Sequence, residues 1–260
     1  MAHKVYENFV LANEIENQYG TMLDLQQFCK VDNALTAEPG MTIKIHRYSA
    51  SNGTEKLEIS QGNSKSIEVT YAPYEYKVLT AQNRFRYYDE QEMADPMVVQ
   101  TGLHHAAVDM FNTVNADVLA EYAKATQTVN SSSFDFAAFA DAVAALNVER
   151  PEEMSIFAWV NPSDMAIVRK ALKDDLKYVE AFSKSGYVGT VCGVNLYTNK
   201  MVEAGAILGG VKEAVTLFNK RGMEVEQKRD ADKRENDIIS RKYYVAALTD
   251  ETKAFKIVKA

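Results

Sequence analysis

Two adjacent histidines, His104 and His105, precede Asp109 in the stretch TGLHHAAVDM, which resembles a metal or proton-transfer site. Such a site needs imidazole and carboxylate groups that converge on one point. Neighbouring residues of a helix point about 100° apart, whereas a helical zinc pair has its histidines at i and i+4. Asp109 is four residues after His105 and could accept a hydrogen bond from it. The spacing favours a packing or surface role for the histidines, and a metal or catalytic role is the minor alternative.

The two cysteines, Cys29 and Cys192, stand next to apolar residues in the sequence. A nucleophilic thiolate needs a nearby cation or helix N-terminus that lowers its pKa, and no local motif supplies one. Both cysteines are therefore predicted to be small buried hydrophobic residues. The glycine-rich segment GAILGG lacks the lysine of a phosphate-binding loop and the spacing of a dinucleotide fingerprint.

Four acidic residues precede the strongest helical pattern, and they could bind a cation: Asp89, Glu90, Glu92 and Asp95. Carboxylates are also favoured at a helix N-terminus because the helix dipole stabilises negative charge there. We prefer the explanation by the helix dipole to a cation site. The sequence therefore predicts no catalytic residue, no cofactor and no metal.

The composition narrows the class of protein. The chain has 260 residues, of which 47% are hydrophobic, and a formal net charge of -7. An acidic chain is not a dedicated reader of duplex DNA, which would present a basic face. Two cysteines make neither a disulfide framework nor a zinc motif and are typical of synthesis in a reducing compartment. Neither a signal peptide nor a run of about 18 apolar residues is present, so no membrane-spanning helix is predicted.

The segment 41–88 alternates apolar and polar residues and predicts strands. Between TIKIHRYS and SIEVTY lies a polar stretch with two turn signals, Asn52-Gly53 and Gly62-Asn63. This pattern predicts a long two-stranded projection. A hairpin of that length buries little of itself, so it is expected to pack on another surface.

The Asp95-Pro96 pair predicts the start of a helix, with Asp95 as N-cap and proline in the first turn. Its apolar spacing continues to about Lys124, which corresponds to a helix of roughly 43 Å. Residues 131–220 alternate helical and strand patterns: a helix capped by Ser133 or Asp135, a buried strand at SIFAWV, and a helix after Asn161.

The segment GAILGGVKEAVTLFNK predicts another strand, a turn at Gly209-Gly210 and a possible helical turn. Residues 221–260 return to strands. The mixed charge run KRDADKREND within them predicts a solvated loop or face.

The order of these elements resembles the major capsid protein of tailed bacteriophages, the Hong Kong 97-type fold. The resemblance covers nearly the whole chain. It rests on the order and spacing of KLEISQGNSKSIEVTYAPYEYKVLTAQNRFRYYDEQEMADP, NTVNADVLAEYAKAT, FAWVNPSDMAIVRKALKD and the segment from SGYVGTVCGVNLYTNK to the C-terminal strands. It is greatest to phages and prophages of Gram-positive hosts.

The resemblance implies an α+β fold with five parts: an N-terminal arm (1–40), an extended β-hairpin loop with its base strands (41–88), the spine helix of a peripheral domain (89–130), an axial domain (131–220) and return strands of the peripheral domain (221–260). It also implies a structural subunit and not an enzyme. Many copies would form the pentamers and hexamers of an icosahedral or elongated shell that encloses double-stranded DNA without sequence-specific binding.

Further partners implied by the resemblance are a separate scaffolding protein and a portal. No membrane is involved, the shell is assembled in the bacterial cytoplasm, and the mature location is the virion capsid. The implied contacts with neighbouring subunits are two residues of the arm, Tyr6 and Phe9, and six residues at the loop tip: Asn52, Gly53, Glu55, Lys56, Gln61 and Asn63. No lysine cross-link is predicted at Lys56 or Lys65.

Three alternatives stay open: the shell of an encapsulin-like nanocompartment, a small cysteine or histidine hydrolase, and a monomeric binding module. The histidine pair is interpreted as a middle section of the spine helix. Whether His104 or His105 reaches a neighbouring subunit, and so makes shell stability depend on pH near 6, is left open.

Overall fold

Within the residues that the structure describes, the chain folds into two β-sheets, a separate hairpin and four helices. The computed structural model describes residues 6–7, 24–36, 39–146, 151, 154–173 and 189–259. The first sheet contains β1 (Tyr6–Glu7), β2 (Lys30–Asp32), β5 (Leu79–Tyr88), β11 (Val215–Asp230) and β12 (Glu235–Leu248). The hairpin contains β3 (Thr42–Ala50) and β4 (Val69–Lys77). The second sheet contains β6 (Gln127–Ser131), β7 (Ile156–Val160), β8 (Thr190–Val191), β9 (Val194–Thr198), β10 (Ala206–Gly210) and β13 (Ala254–Lys259).

The first sheet has the strand order β1-β11-β12-β5, with β2 also paired to β11, and the second has the order β6-β13-β10-β7-β9-β8. The helices are α1 (Asp89–Ala94), α2 (Met97–Ala123), α3 (Phe136–Ala145) and α4 (Pro162–Ala171). Short 3-10 turns lie at Leu25–Phe28, Ala34–Thr36 and Glu251–Lys253. The mixture of helices and strands agrees with the predicted α+β class.

Helix α2 begins as the sequence predicts, because Asp95 Oδ1 accepts a hydrogen bond from the Met97 amide at 3.0 Å. Its 27 residues correspond to a helix of about 40 Å. Leu103 and Ala107 pack on the first sheet, whereas Val118 and Tyr122 further along belong to a core that includes residues of both sheets. The helix therefore connects the hydrophobic cores under the two sheets.

One glycine lets α2 approach the first sheet. A Cβ atom on Gly102 would lie 2.1 Å from the Cζ atom of Phe85, which points from β5 toward the helix. Real Cβ contacts are not that short, so the ring occupies the space that any other residue would need. Glycine at this position therefore sets the packing distance.

The core of the second sheet contains three buried phenylalanines, Phe134, Phe139 and Phe255. All five residues of β7 are buried, as predicted for SIFAWV. Asp135, and not Ser133, caps α3, because its Oδ1 accepts from the Ala138 amide at 3.0 Å while the Ser133 hydroxyl donates to its Oδ2. Asn161 Oδ1 caps α4 by accepting from the Ser163 amide at 3.0 Å, as predicted.

The predicted turn at Gly209-Gly210 is wrong, because both glycines lie inside β10. A Cβ on Gly209 would lie 2.5 Å from the ring of Phe255 on the adjacent strand, so glycine is needed there for packing. The possible helical turn after it is also wrong, since β11 starts at Val215. The last strand, β13, pairs with β6 and β10 in the second sheet and not with the other return strands.

The charge run was predicted to be a solvated loop or face, and that holds for the exposed residues Lys228, Arg229 and 231–234 but not for the end of the run. Residues 231–234 form the exposed turn between β11 and β12. Glu235 and Asp237 lie in β12 and are buried, because arginines of β5 neutralise them.

Candidate assembly surfaces

The extended hairpin, defined as β3, β4 and the connecting residues 51–68, exposes an unusual amount of apolar surface. Its strands pair antiparallel from Thr42 opposite Lys77 to Ala50 opposite Val69. Ile59 in the connecting loop is 99% exposed. Seven large hydrophobic side chains of the hairpin are exposed: Tyr48, Leu57, Ile59, Ile67, Val69, Tyr71 and Tyr74. A cluster of this kind marks an interaction surface.

One face of the extended hairpin carries a group of rings. Tyr48 and Tyr71 are directly opposite each other, with ring centroids 6.2 Å apart. His46 lies on the same face with its ring 5.2 Å from that of Tyr71. Nearer the base, Lys44 and Glu75 form an exposed ion pair at 2.8 Å.

The tip of the extended hairpin is ordered by its own side chains. Glu55 accepts hydrogen bonds from the amide and hydroxyl of Ser64 at 2.9 and 2.8 Å, and these bonds lower the pKa of its carboxyl. Asn63 Nδ2 donates to the Gly53 carbonyl at 3.0 Å. Gly53 is buried, and a Cβ there would lie 2.6 Å from the Ile67 amide nitrogen.

The six predicted contact residues at this tip therefore differ in what they can do. Gly53, Glu55 and Asn63 hold the loop in shape. Gln61 Oε1 accepts from the Glu58 amide at 3.3 Å and is exposed. Asn52 and Lys56 are exposed and face outward from the tip.

The arm contacts the chain's own body where it is described. Tyr6 pairs with Gln227 of β11 through the backbone, and Phe9 lies outside the described residues. Phe28 packs against Trp159 and Tyr197, and its carbonyl accepts a hydrogen bond from the Tyr122 hydroxyl at 3.0 Å.

His104 and His105 are both exposed on α2 and flank the buried residues Leu103 and Ala107. This agrees with the interpretation of the stretch as part of a packed helix. Their ring centroids are 6.1 Å apart. Within the described ranges, no group of three or more His, Cys, Asp or Glu residues could hold a metal ion.

Two of the four acidic residues before α2, Asp89 and Glu90, form ion pairs. Asp89 accepts hydrogen bonds from Arg229 and Asn236, both at 2.7 Å, and Arg229 is the main cause of the lowered pKa of its carboxyl. Glu90 pairs with Arg234 at 2.8 Å. These contacts tie α1 to the turn between β11 and β12.

Cys192 and Gly193 form the two-residue turn between β8 and β9, with φ angles of 49° and 80°. Cys192 packs against the core of the second sheet as a hydrophobic residue, but it is half-buried and not buried as predicted, because it lies in this turn. Burial raises the pKa of its thiol, which keeps it protonated. Cys29 is buried as predicted, and burial is the main reason that its pKa is raised to about 12.

The first sheet has a charged face that was not predicted from the sequence. Phe85 and Tyr87 face α2, so the alternation of a strand places Arg84 and Arg86 on the opposite face. Arg84 Nε donates to Asp237 Oδ1 at 2.8 Å, and Arg86 pairs with Glu235 at 2.5 Å. The signal was the alternation of charged and apolar residues in RFRYY, but the sequence does not identify the partner strand.

Comparisons with known proteins give a consistent result. No protein-family profile matches the chain. The major capsid protein of Staphylococcus phage phiMR11 is 29% identical over 267 residues, which cover 96% of this chain and 92% of that protein.

Solved structures share the fold. The capsid of the native GTA particle has a TM-score of 0.70 at 14% identity and covers 91% of this chain and 90% of its own. The capsid of Cyanophage P-SCSP1u has a TM-score of 0.68 at 12% identity and covers 100% of this chain and 90% of its own. The virus-like particle from Pyrococcus furiosus has a TM-score of 0.66 at 11% identity and covers 95% of this chain and 97% of its own. None of the described helices is long and apolar enough to span a membrane.

Proposed function

We infer that this chain is a major capsid protein of a tailed bacteriophage and has the Hong Kong 97-type capsid fold. The observation that carries the inference is the likeness to the phage phiMR11 major capsid protein through 96% of this chain. The function of this chain is to form, with other copies of itself, the shell that encloses the packaged genome.

The extended hairpin is the part of the subunit that most needs a partner. Its exposed apolar side chains, Ile59 above all, would be stabilised by burial at about 25 cal/mol per Å² of apolar surface. We propose that it lies over a neighbouring subunit, with Asn52 and Lys56 as polar contacts at the tip. The hydrogen bonds of Glu55 support this, because a loop ordered before contact loses less entropy on binding.

For the arm, we propose contacts with a neighbouring subunit through Tyr6 and Phe9. The edge of β11 that pairs with Tyr6 supports the proposal, because the same edge could accept the arm of another copy. We also propose that the first sheet with α2 is the peripheral domain, and that the second sheet with α3 and α4 is the axial domain around the pentamer and hexamer axes.

Other partners follow from the function. The subunit is proposed to require a separate scaffolding protein and a portal, and to assemble in the cytoplasm of a bacterial host. A net charge of -7 supports enclosure of DNA without tight or sequence-specific binding.

The shell is proposed to have no enzymatic activity. The raised pKa of Cys192 supports this, since a protonated thiol is a poor nucleophile. Particles formed by the Cys192→Ala and His105→Ala variants should match the wild type in yield and shape under the electron microscope. Loss of particles from variants that still fold would contradict this expectation.

Assembly itself is tested by expressing the chain with and without its scaffolding partner. Electron microscopy should show closed shells, and sedimentation should show a large species in place of the 29.1 kDa subunit. A stable monomer under every condition tried, with folding verified by circular dichroism, would refute the shell function and favour a monomeric binding module.

A nanocompartment shell is the second candidate, because the Pyrococcus furiosus virus-like particle has the same fold over 97% of its own chain. The two functions differ in what the particle contains. Particles from the native host should protect double-stranded DNA from nuclease if the chain is a phage capsid protein. Particles that hold a single cargo protein and no DNA would favour the nanocompartment.

A further inference from the structure

Arg47 is the side chain that joins the extended hairpin to the body. Its Nη2 donates to the Leu248 carbonyl at 2.6 Å, and its Nη1 forms an ion pair with Glu251. The guanidinium also lies over the ring of Tyr74, 3.9 Å from the centroid. The Arg47 side chain is 17% exposed, so these contacts form in a partly desolvated position where they are stronger than at an open surface.

Arg47 also marks the point at which the hairpin leaves the body. Before it, Ile43 and Tyr76 pack against a small core of Leu35, Val78 and Val245. After it, residues 48–50 of β3 and 69–73 of β4 are exposed on both faces. The anchored part of the hairpin therefore ends at this residue.

The partners of Arg47 lie on the crossover between the two sheets. Leu248 is the last residue of β12 in the first sheet, and β13 of the second sheet starts at Ala254. Glu251 lies in the 3-10 turn between them. The Thr249 and Asp250 amides both donate to the Ala214 carbonyl, which fixes this crossover against the start of β11.

We propose that Arg47 is a positioning residue that fixes the direction in which the extended hairpin projects, by binding β3 to the crossover between the two sheets. The hairpin would then turn with the crossover, so a change in the angle between the sheets would move the hairpin's apolar surface. The consequence for assembly rests on the proposed function, whereas the contact itself is a property of the single subunit.

The chemistry of the contact requires arginine. One guanidinium donates to a carbonyl, pairs with a carboxylate and stacks on a ring at the same time, which its planar fork allows. A lysine ammonium is a point charge that could satisfy the carboxylate and would lose the stacking and the second fixed direction. Arg47→Lys is therefore expected to retain only part of the effect.

The test measures the direction of the hairpin directly. Spin labels are placed on Glu68→Cys in the hairpin and Lys228→Cys in β11, two exposed positions, in a Cys192→Ser background. Buried Cys29, with its pKa of about 12, stays unlabelled. Labelled chains are diluted with unlabelled chains, so that electron-electron distances are read within one subunit whether or not particles form.

The wild type should give one narrow distance distribution. Arg47→Gln and Glu251→Gln should each broaden it by roughly twofold or more, because a charge-assisted contact is lost in both. The double variant should be no broader than Arg47→Gln alone, since Arg47→Gln already removes the contact with Glu251.

Lys44→Gln is the matched control. It removes an ion pair of the same strand, Lys44 to Glu75, that lies within the hairpin and does not reach the body. Circular dichroism and the emission of Trp159, the single tryptophan, verify folding of every variant. The proposal is overturned if Arg47→Gln leaves the distribution narrow, or if Lys44→Gln broadens it equally. Failure of the wild type to form particles would instead count against the proposed function and would leave the distance measurement valid.

Discussion

At the scale of single residues, Asp237 shows how a carboxylate becomes part of a buried strand. Its side chain is 8% exposed and lies between Arg84 and Arg86 on the neighbouring strand. The hydrogen bond from Arg84 is the main cause of the lowered pKa of this carboxyl, because it stabilises the charged form.

This shift predicts a pH dependence of stability. A group whose pKa is lower in the folded state stabilises the fold above its unfolded pKa, and the stabilisation is lost as pH falls through the folded pKa. Asp237→Asn should reduce the free energy of unfolding at pH 7 by about 1 kcal/mol, because Arg84 and Arg86 each lose one of two carboxylate partners and, being half exposed, are partly screened by water.

The variant should approach the wild type in stability as pH falls below about 4, the ordinary range of an aspartate. Thermal unfolding between pH 3 and 7 measures the difference. Glu90→Gln is the control, since its ion pair with Arg234 is largely exposed. A difference between wild type and Asp237→Asn that stayed constant across this range would argue against the assigned cause.

Gly102 is a second residue at which the structure predicts whether a substitution stabilises or destabilises the subunit. Replacing glycine by alanine inside a helix usually stabilises it by up to about 1 kcal/mol. Here the new methyl group would overlap the ring of Phe85, so Gly102→Ala should destabilise the subunit by roughly 1 to 3 kcal/mol in urea unfolding.

Phe85→Leu should relieve part of this overlap, so the double variant should be less unstable than the sum of the two single changes. Gly222→Ala in β11 is a control for a glycine-to-alanine change without overlap, because no atom lies within 4 Å of its Cβ position. A stabilised Gly102→Ala variant would show that the ring moves aside at little cost.

At the scale of elements, a change in the extended hairpin should affect assembly and leave the stability of the single subunit unchanged. Ile59 is 99% exposed, so Ile59→Ser removes no contact within the subunit and should leave its melting temperature unchanged. Particle yield should fall severalfold, because the apolar contact that we propose with a neighbour is lost. Met201→Ser, a change at an exposed apolar residue outside the hairpin, tests whether any such loss is specific. Equal yields from all three chains would remove Ile59 from the assembly contact.

Elements with strong local signals could be predicted from the sequence. The caps at Asp95 and Asn161 depend on side chains two residues from the amides that they bind, so their signatures are local. The charge run was misjudged because the arginines that bury Glu235 and Asp237 are about 150 residues away in the chain. Gly209 was read as a turn because its function, space for the ring of Phe255, depends on a strand 46 positions later.

For the extended hairpin, the sequence predicted the position of the surface but not the role of each residue in it. Alternation and turn signals located the extended hairpin and its tip, but they could not distinguish residues that order the tip from those that face outward. Glu55 and Asn63 bond to Ser64 and Gly53 across the loop. Such pairing depends on how the loop closes, and that leaves no pattern in the sequence. Arg47 went unnoticed as an anchor for the same reason, since its partner is 201 positions away.

At the scale of the whole molecule, helix α2 makes the two halves depend on each other. Val118 and Tyr122 belong to a core that includes Trp159 of the second sheet and Leu217 of the first. The described subunit should therefore unfold in one transition. Trp159 emission and circular dichroism should give the same urea midpoint, whereas two separate midpoints would show that the halves unfold independently.

The position of β13 has a consequence for how the subunit is made. This strand lies between β6 and β10, so the second sheet stays divided until residues 254–259 have been synthesised. Translation at about 5 to 20 residues per second places roughly 6 to 25 s between the end of β6 and the start of β13. Strand β10 ends at Gly210, so its edge stays open for roughly the last 2 to 9 s of that interval, while the core position of Phe255 is still unfilled. The second sheet therefore cannot close when β10 is made, and its core stays incomplete until β13 joins it.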